Sequence, residues 1–304
     1  MTFPKKNYLI SIVGPTAIGK TALSIALAKH FNSEIISCDS RQFYKEMNLG
    51  TAVPSVDELQ AATHHFIQNR SIYEDYNVGE FERNALSKLN DLFKENAIVI
   101  MVGGSGLYLD AVINGLDYFP EIDSSIREKL NLELKENGIE NLQNQLKKLD
   151  IETYQSIAIE NPHRIIRALE ICIGTGKTYA SFKNKPKSPR NFTAIKIGLT
   201  AERPIIYDRI NKRVDIMVAN GLLEEANELY PNKDLNALQT VGYRELFSYF
   251  DGEITKEFAI EEIKKNTRRF AKRQLTWFKK DVNTIWFDYK TPINTILQAI
   301  KTKL

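Results

Sequence analysis

One segment near the start of the chain constrains the fold more than any other. Residues 14 to 21 read Gly-Pro-Thr-Ala-Ile-Gly-Lys-Thr and match the pattern G-x-x-x-x-G-K-[ST] in full. An apolar run from Tyr8 to Val13 precedes them and predicts a buried strand, and the stretch from Thr21 to His30 predicts a buried helix. A glycine-rich loop between a strand and a helix is typical of a P-loop, so the sequence predicts a phosphate site here.

The residues of this loop suit an anion. Backbone N–H groups and the helix N-terminus, which carries about half a positive charge, point towards the phosphate. Lys20 supplies a full charge, and the Thr21 hydroxyl is a ligand for Mg²⁺. The predicted phosphate-binding residues are Gly14, Thr16, Ala17, Ile18, Gly19, Lys20 and Thr21.

A second Gly-Lys-Thr sequence occurs at Gly174 to Thr178. The first glycine of a P-loop would fall at position 171, which is Ile171, and the segment follows a predicted helix instead of a strand. We therefore interpret it as a helix C-cap followed by a turn.

Four further short segments are strand candidates: Glu34 to Ser37, Ala97 to Val102, Thr193 to Leu199 and Thr284 to Phe287. Strands that alternate with helices predict an α/β fold, a parallel sheet of the P-loop NTPase-like kind with both faces covered. Residues 121–189 instead predict helices only, with Asp123 or Ser124 as one cap, Asn161 before Pro162 as another, and Gly174 as a helix end. We expect a core of residues 1–120 and 190–304 and a helical insertion of residues 121–189.

Composition narrows the class of protein further. The longest apolar run, Ala97 to Val102, is too short to span a bilayer, so no membrane partner is expected. Cys38 and Cys172 are the two cysteines, too few for a disulfide framework or a zinc cluster, and they fit a reducing cytoplasm. A net charge of +3 says little about nucleic acid.

A missing carboxylate helps to decide which kind of ligand the P-loop binds. A P-loop NTPase usually has an Asp at the end of a buried strand, where it holds Mg²⁺. The candidate strand here, Ala97 to Val102, ends in Gly-Gly-Ser-Gly. This favours a small-molecule kinase, or an enzyme with a diphosphate leaving group, over an ATPase or GTPase.

Asp39 is the candidate catalytic carboxylate. It follows the second predicted strand, at the edge of the sheet where ligands of open α/β folds bind. There it is placed to act as a general base for an incoming nucleophile. The alternative is that Asp39 only caps the following turn through Ser40.

Several blocks of sequence together resemble the tRNA dimethylallyltransferases, bacterial type. They run in order over residues 14 to 277 and so cover nearly the whole chain. Beside the P-loop, the blocks are Ile36-Ser-x-Asp39-Ser-x-Gln-x-Tyr44, Gly50-Thr-Ala-x-Pro54, Val102-Gly-Gly-Ser-Gly-Leu-Tyr108, Arg164-x-x-Arg167-Ala-Leu-Glu170, Gln239-Thr-Val-Gly-Tyr-Arg-Glu245 and Thr267-Arg-Arg-x-x-Ala-Lys-Arg-Gln-x-Thr-Trp277.

The resemblance implies an activity and its residues. The loop would bind dimethylallyl diphosphate, Asp39 would be the base for the exocyclic amine of the adenine beside the anticodon, on its 3′ side, and Arg213 would bind the diphosphate. Thr21 and Arg213 would join Asp39 in catalysis, with Mg²⁺ as cofactor. Ser105, where the family usually has threonine, and Arg127 match tRNA-contacting positions. The other implied tRNA contacts are Asp39, Ser40, Arg41, Gln42, His163, Arg164, Arg167, Gln239, Gly242, Tyr243, Arg244, Arg268, Arg269, Lys272, Arg273 and Gln274.

The charge pattern independently favours RNA as a partner. Residues 264–280 carry eight basic side chains and no acidic one, and helical spacing puts Lys265, Arg269, Lys272 and Arg273 near one face. His163, Arg164 and Arg167 on the insertion form a second, smaller patch. We expect the two patches to bind a tRNA anticodon stem-loop, although a solvated helix face would look the same on charge alone.

Three other readings stay open at this stage. The chain could be an ATP-dependent kinase of a small hydroxyl compound with Asp39 as base, or it could transfer the prenyl group to free adenine nucleotides. A P-loop protein that only binds its ligand would need neither Asp39 nor Arg213. A cytoplasmic monomer is the default expectation for location and oligomeric state.

Overall fold

Six parallel strands form one sheet in a computed structural model that describes residues 6–304. Their order is β3-β2-β4-β1-β5-β6, which confirms the predicted parallel α/β class. The strands are β1 (Tyr8–Val13), β2 (Ile35–Ser37), β3 (His64–His65), β4 (Ile98–Val102), β5 (Thr193–Thr200) and β6 (Ile285–Asp288).

The central strand, β1, explains why the sheet needs cover on both sides. All six of its residues are buried. Ile10 and Ile12 point into one core cluster together with Leu23 and Leu27 of the helix that follows the loop. Leu9 and Val13 point into a second cluster on the opposite face. Because successive strand side chains alternate between faces, an unbroken apolar strand must lie between two helical layers.

Residues 6–304 also form thirteen α-helices. They are α1 (Lys20–Phe31), α2 (Val56–Ala61), α3 (Val78–Glu95), α4 (Gly106–Asn114), α5 (Ser124–Asn137), α6 (Ile139–Leu149), α7 (Ile151–Ser156), α8 (Pro162–Thr175), α9 (Arg203–Ala219), α10 (Leu222–Leu229), α11 (Tyr243–Phe250), α12 (Lys256–Phe278) and α13 (Ile293–Lys301). None of the helices in this part of the chain has the length and apolarity needed to cross a bilayer.

The chain divides into two compact units. The first comprises the chain up to Asn114 and from Arg190 to Leu304, and it contains the sheet. The second runs from Gly115 to Pro189, so it begins a few residues before the expected start at Glu121. Helices α5 to α8 form this second unit around a core of their own, in which Leu130, Leu146 and Leu169 are buried.

Some expected local details were wrong. The helix α8 continues through Gly174 and ends at Thr175, where Gly176 adopts a left-handed conformation with φ of 68° as the C-cap. The second Gly-Lys-Thr sequence is therefore a helix end and a turn, as expected. Helix α13 starts at Ile293 with Pro292 as its N-cap residue. The two-residue strand β3 and the short helix α7 were not expected, because neither is long enough to show a period.

Parallel strands bring three loops to one edge of the sheet. Strand β1 ends at Val13 before the P-loop, β2 ends at Ser37 before Asp39, and β4 ends at Val102 before two glycines. In the sheet, β4 lies between β1 and β2. The fold thus brings Asp39 and the P-loop to the same edge, although they lie in different segments of the sequence.

Candidate active site

The P-loop adopts the backbone conformations that its glycines allow. Gly14 has φ of 142° and Gly19 has φ of 110°. A Cβ on Gly14 would lie 2.4 Å from the carbonyl oxygen of Leu199, so the loop can pass β5 only with glycine here. Gly19, the N-cap residue of α1, has no side chain that could accept a hydrogen bond from the helix. The N–H groups of the first helical turn are therefore available to an anion.

Lys20 lies inside this loop. Its Nζ donates hydrogen bonds to the carbonyl oxygens of Gly14, at 3.1 Å, and Pro15, at 2.8 Å. Burial lowers the pKa of Lys20 to about 8, with Asp39 nearby raising the pKa and Arg213 lowering it. A buried ammonium with a lowered pKa lacks a full counter-charge, and an anion bound in the loop would supply one.

A cavity of about 440 Å³ opens over the loop, and we call it the loop cavity. Thr16, Ala17, Ile18, Gly19, Lys20 and Thr21 line it, as expected, whereas Gly14 packs against β5 instead. Two basic residues of α9 that the sequence did not single out, Arg209 and Lys212, also line it. Arg209 Nε donates to the carbonyl oxygen of Ala17 at 2.7 Å, which ties α9 to the loop.

A second cavity of about 530 Å³ shares part of its wall with the loop cavity. Five residues line both: Thr16, Asp39, Thr51, Ala52 and Arg213. The remaining lining includes the expected residues Ser40, Arg41, Ser105, Gln239, Gly242, Arg244, Arg273 and Gln274, with Tyr108, Phe270 and Trp277 as aromatic surfaces. With Asp39, the second cavity therefore collects nine of the eighteen residues that were expected to contact RNA.

Asp39 and Arg213 stand on the shared wall. One carboxylate oxygen of Asp39, Oδ1, accepts a hydrogen bond from the Arg41 backbone N–H at 3.2 Å, which fixes the turn after β2. The Asp therefore both caps a turn and lines the two cavities. Burial lowers the pKa of Arg213, and the charge of Asp39 raises it. A half-buried arginine near a carboxylate is suited to a diphosphate that enters from the loop side.

The glycines after β4 leave no room for the Mg²⁺-binding carboxylate of an NTPase. A Cβ on Gly103 would lie 2.5 Å from the Cys38 sulfur. A Cβ on Gly104 would lie 2.4 Å from Nε2 of Gln274 and 3.3 Å from a carboxylate oxygen of Asp39. The chain segments at this sheet edge therefore pack closely against the two glycines. This packing agrees with the sequence argument against an ATPase or GTPase.

The side chains of Ser40 and Arg41, the two residues after Asp39, both make hydrogen bonds. The Ser40 N–H donates to Ser105 Oγ at 3.0 Å, and the two serine hydroxyls are 3.0 Å apart. Arg41 donates to the carbonyl oxygens of Asn236 and Ala237 at 2.9 Å. These contacts leave the second cavity with walls that are already ordered.

Two residues of the implied tRNA-contacting set have buried side chains. Tyr243 is fully buried, and its hydroxyl donates to Glu225 at 2.6 Å. Gln274 is buried, accepts from the Thr16 N–H at 2.9 Å and donates to the Gly104 carbonyl at 3.0 Å. The Tyr243 side chain therefore points into the core, while Gln274 joins the P-loop to the segment after β4.

The basic residues of α12 do not form one face towards the second cavity. The face that lines the cavity carries Thr267, Phe270, Arg273, Gln274 and Trp277, so Arg273 is its cationic member. Lys265 pairs with Glu262, and Lys264 pairs with Asp215 at 2.7 Å. Arg268 donates to Asn211 at 2.7 Å, whereas Arg269 and Lys272 are exposed to solvent. The acidic partners of Lys264 and Lys265 lie outside residues 264–280. The basic residues counted in that stretch therefore overestimate the number of unpaired positive charges.

In the second unit, the expected RNA-contacting arginines share one carboxylate. Arg127 and Arg167 both donate to the buried Glu170, at 2.6 and 3.2 Å. The guanidinium of Arg167 also lies over the Phe119 ring, at 5.5 Å from its centre. His163 and Arg164 are exposed in the first turns of α8.

Four polar residues that hold the surroundings of the site, Asp110, Lys196, Glu225 and Asp281, were missed by sequence reasoning. Trp277 Nε1 donates to Asp110 at 2.8 Å, and the buried Lys196 pairs with Asp281 at 2.7 Å and with Asp110 at 3.7 Å. Glu225 accepts hydrogen bonds from the backbone of residues 48–50. A signal was present for Glu225, since it lies on the same helical face as the buried Leu222 and Leu229.

The sheet, the phosphate-type loop and a carboxylate between two joined cavities define a group-transfer enzyme built on a P-loop fold. The sequence model of the IPP transferase family matches residues 42–281. The chain belongs to the IPP transferase family.

Relatives with curated names agree with this assignment. The tRNA dimethylallyltransferase of Flavobacterium psychrophilum is 64% identical to this chain, over 98% of this chain and 99% of the relative. The enzyme of the same name from Flavobacterium johnsoniae is 63% identical, with 98% of both chains covered.

Solved structures give the same picture. A tRNA isopentenylpyrophosphate transferase from Bacillus halodurans is 37% identical with a TM-score of 0.72, over 98% of this chain and 95% of that one. A eukaryotic dimethylallyltransferase described as acting on tRNA is 27% identical with a TM-score of 0.76, over 93% of this chain and 74% of that one.

Proposed function

We propose that this chain transfers a dimethylallyl group from dimethylallyl diphosphate to the exocyclic amine of the adenine on the 3′ side of the tRNA anticodon. The observation that carries the proposal is the shared wall. Asp39 and Arg213 line both the loop cavity and the second cavity, so a base and a cation stand between a diphosphate site and an acceptor site. Both volumes lie within the usual range for small-ligand pockets.

The donor side stabilises the leaving group. The P-loop N–H groups, Lys20 and Arg213 surround the position of a diphosphate that leaves with growing negative charge. Fixed donors aimed at developing charge lower the barrier more than donors that must reorient. The allylic carbon tolerates positive charge, so good leaving-group stabilisation suits a loose transition state.

The acceptor side removes a proton. An adenine amine is a weak nucleophile because its lone pair is delocalised into the ring. As the nitrogen bonds to the first carbon of the dimethylallyl group, the bond from that carbon to the diphosphate oxygen breaks. The amine proton passes to the Asp39 carboxylate, and the electron pair of the broken bond leaves with the diphosphate.

Thr21 fits the Mg²⁺ that such a reaction would use. Its side chain lines the loop cavity beside Asp39 and Lys20. Magnesium sites in proteins commonly use one or two protein oxygens and complete the octahedron with water and substrate phosphates, so a single hydroxyl and a bound diphosphate suffice. Bound there, the ion would neutralise charge on the departing diphosphate.

The second cavity suits an extruded base. Phe270 and Trp277 offer aromatic surfaces, and Arg273 lies beside them. Bases of single-stranded loops are the cheapest to unstack, and they stack on such side chains when bound. The relative described as acting on tRNA supports RNA as the acceptor, and the exposed Arg164 and Lys272 are available to its phosphates.

The expected setting follows from the substrate. Unlinked cysteines, both buried thiols in the structure, are compatible with a cytoplasmic enzyme. A monomer is the simplest oligomeric state for the proposal, since one chain supplies both cavities.

The test is transfer of label from radioactive dimethylallyl diphosphate into tRNA that lacks the modification. The product adenine should carry the added mass of one dimethylallyl group, and diphosphate should appear in equal amount. Free AMP should accept far less label, because it lacks the anticodon loop and its phosphates. Phosphate transfer from ATP to a small alcohol, without prenylation of tRNA, would contradict the proposal and favour a kinase.

A further inference from the structure

The turn formed by residues 48–52 stands between the two cavities. Thr51 and Ala52 line both of them. Ala52 has φ of 52°, a left-handed conformation that non-glycine residues seldom adopt. A strained wall beside the reacting groups must be held by contacts from elsewhere in the protein.

Glu225, on α10, supplies those contacts. One carboxylate oxygen accepts from the N–H groups of Asn48, at 3.2 Å, and Leu49, at 2.7 Å. The other accepts from the Gly50 N–H at 2.9 Å and from the Tyr243 hydroxyl at 2.6 Å. Four donors from two separate segments thus converge on one carboxylate, which as an ion can only accept.

Tyr243 completes the arrangement from α11. Burial, and then the charge of Glu225, raise the pKa of Tyr243, so its hydroxyl stays protonated and donates. Its ring packs against Gly50, where an added Cβ would lie 2.4 Å from the ring carbon Cζ. The turn is therefore fixed by hydrogen bonds through its amides and by a ring against its glycine.

The same turn is bonded to the segment that carries Asp39. Gln42 Nε2 donates to the carbonyl oxygens of Thr51, at 3.2 Å, and Ala52, at 2.9 Å. The Ser37 hydroxyl lies 3.5 Å from Gln42 Oε1 and accepts from the Asp39 N–H at 3.4 Å. These last two bonds are long, so the firm part of the connection ends at Gln42.

We propose that Glu225, assisted by Tyr243, is a positioning residue for prenyl transfer: it sets the 48–52 turn so that the acceptor amine and the allylic carbon meet beside Asp39. Neither side chain lines either cavity, so both act through the turn. This inference rests on the proposed function, because it concerns the alignment of those two substrates.

The variant Glu225→Gln tests the proposal with almost no change in volume. Whichever way the amide turns, its NH₂ group faces at least one backbone N–H that cannot accept, so at least one hydrogen bond to the 48–50 backbone is lost. We expect kcat with both substrates saturating to fall about tenfold to a hundredfold, as for a misplacement near 1 Å. The dissociation constant of dimethylallyl diphosphate should change less than kcat, because the P-loop, Lys20 and Arg213 are untouched although Thr51 and Ala52 also line the loop cavity.

Glu228→Gln is the matched control, since it makes the same change at an exposed position of the same helix. It should stay within about twofold of the natural chain. Tyr243→Phe keeps the ring and removes one donor, and its kcat should fall about threefold to tenfold. If Glu225→Gln does not fold, Tyr243→Phe decides the question.

Each outcome bears on the proposal. A fall in kcat with diphosphate affinity retained supports it. A kcat for Glu225→Gln or a folded Tyr243→Phe equal to that of Glu228→Gln overturns it, as does a parallel loss of diphosphate affinity and rate. If the natural chain itself transfers no dimethylallyl group to tRNA, the proposed function fails instead, so the two failures are distinct.

Discussion

The two cavities are built in different ways. Seven consecutive residues, 16 to 22, supply the phosphate-binding part of the loop cavity, and its other walls come from the segments 37–42, 51–67, 102–103 and 209–216. The second cavity takes its walls from the segments 39–41, 50–52, 104–108, 210–217, 239–244 and 263–277. A phosphate site can be local because a turn and a helix N-terminus suffice to bind an anion. A site for a large acceptor needs surfaces from several helices, so only the tertiary fold can assemble it.

The difference predicts how each cavity should respond to mutation. Changes in the loop cavity should act on the affinity for one small anion. Changes in the second cavity should act on RNA binding and on alignment. Asp39 and Arg213, which belong to both, should affect the chemical step most.

Asp39→Asn should have the largest effect. Its side-chain oxygen can still accept the Arg41 N–H, so the turn should survive while the base is lost. We expect the single-turnover rate to fall about 10²- to 10⁴-fold, the usual contribution of a positioned base. Rapid-quench measurements with both substrates saturating would show this, and binding assays should find tRNA affinity little changed. A normal rate would remove Asp39 from the chemistry and leave it as a turn cap.

Lys20→Met should have the second-largest effect, and it should act only on the binding of the prenyl donor, dimethylallyl diphosphate. We expect the dissociation constant of dimethylallyl diphosphate to rise about tenfold to a hundredfold, because a charged hydrogen bond contributes roughly 1.5–3 kcal/mol. Calorimetry would measure it, with the exposed Lys29→Met in the same helix as control. Equal losses of diphosphate and tRNA affinity would contradict the division between the two cavities.

The same lysine gives a pH dependence. The pKa of Lys20 is lowered to about 8, so the amine is charged below that pH and neutral above it. Affinity for dimethylallyl diphosphate should therefore be level below about pH 8 and weaken above it, by up to roughly tenfold per pH unit. Lys20→Met should show no such slope, and a slope that persisted in it would point to another group.

How much of each cavity the sequence could predict follows the same division. The loop residues that line the loop cavity were predicted from spacing alone, except Ala22, whereas Gly14 was predicted with them and packs against β5. Asp39 was placed at the right sheet edge by the rule for parallel strands. The counter-charges of α12 could not be predicted, because Asp215 lies on another helix and pairs with Lys264 only after folding. The role of Gln274 depends on Thr16, 258 residues away in sequence.

The resemblance to a family filled part of that gap, yet it gave positions without contacts. Gly242 and Arg244 line the second cavity, while Tyr243 between them points into the core. A motif that contacts a ligand carries structural residues at intermediate positions, and a linear pattern does not separate the two kinds. Glu225, which holds Tyr243, lies in none of the blocks that carried the resemblance.

Arg273→Gln should have a moderate effect, confined to RNA. Arg273 is exposed and lines the second cavity, so its loss should weaken tRNA binding several-fold and lower the salt slope by about 0.7–0.9. Lys264→Gln is the matched control, since Lys264 already pairs with Asp215 and Glu261. Titrations at several salt concentrations would measure both, and dimethylallyl diphosphate binding should respond to salt less than tRNA binding. Equal effects of the two variants would show that the charge of α12 acts as a whole.

Ser105→Ala should have the smallest effect. Its hydroxyl accepts the Ser40 N–H and lies beside the Ser40 hydroxyl, so it orders the segment next to Asp39. A neutral hydrogen bond contributes roughly 0.5–1.5 kcal/mol, so we expect kcat/KM for tRNA to fall about twofold to tenfold. Dimethylallyl diphosphate affinity should not change, because Ser105 lines the second cavity alone.

Ser105→Thr separates the hydroxyl from the rest of the side chain. Threonine keeps the acceptor for the Ser40 N–H and adds one methyl group at a half-buried position, so kcat/KM should stay near that of the natural chain. If both variants lose activity equally, the methyl is not tolerated and shape, instead of the hydrogen bond, sets this wall of the second cavity. If neither loses activity, the other bonds of the segment after Asp39, those of Arg41 to Asn236 and Ala237 and those of Gln42 to Thr51 and Ala52, suffice to order it.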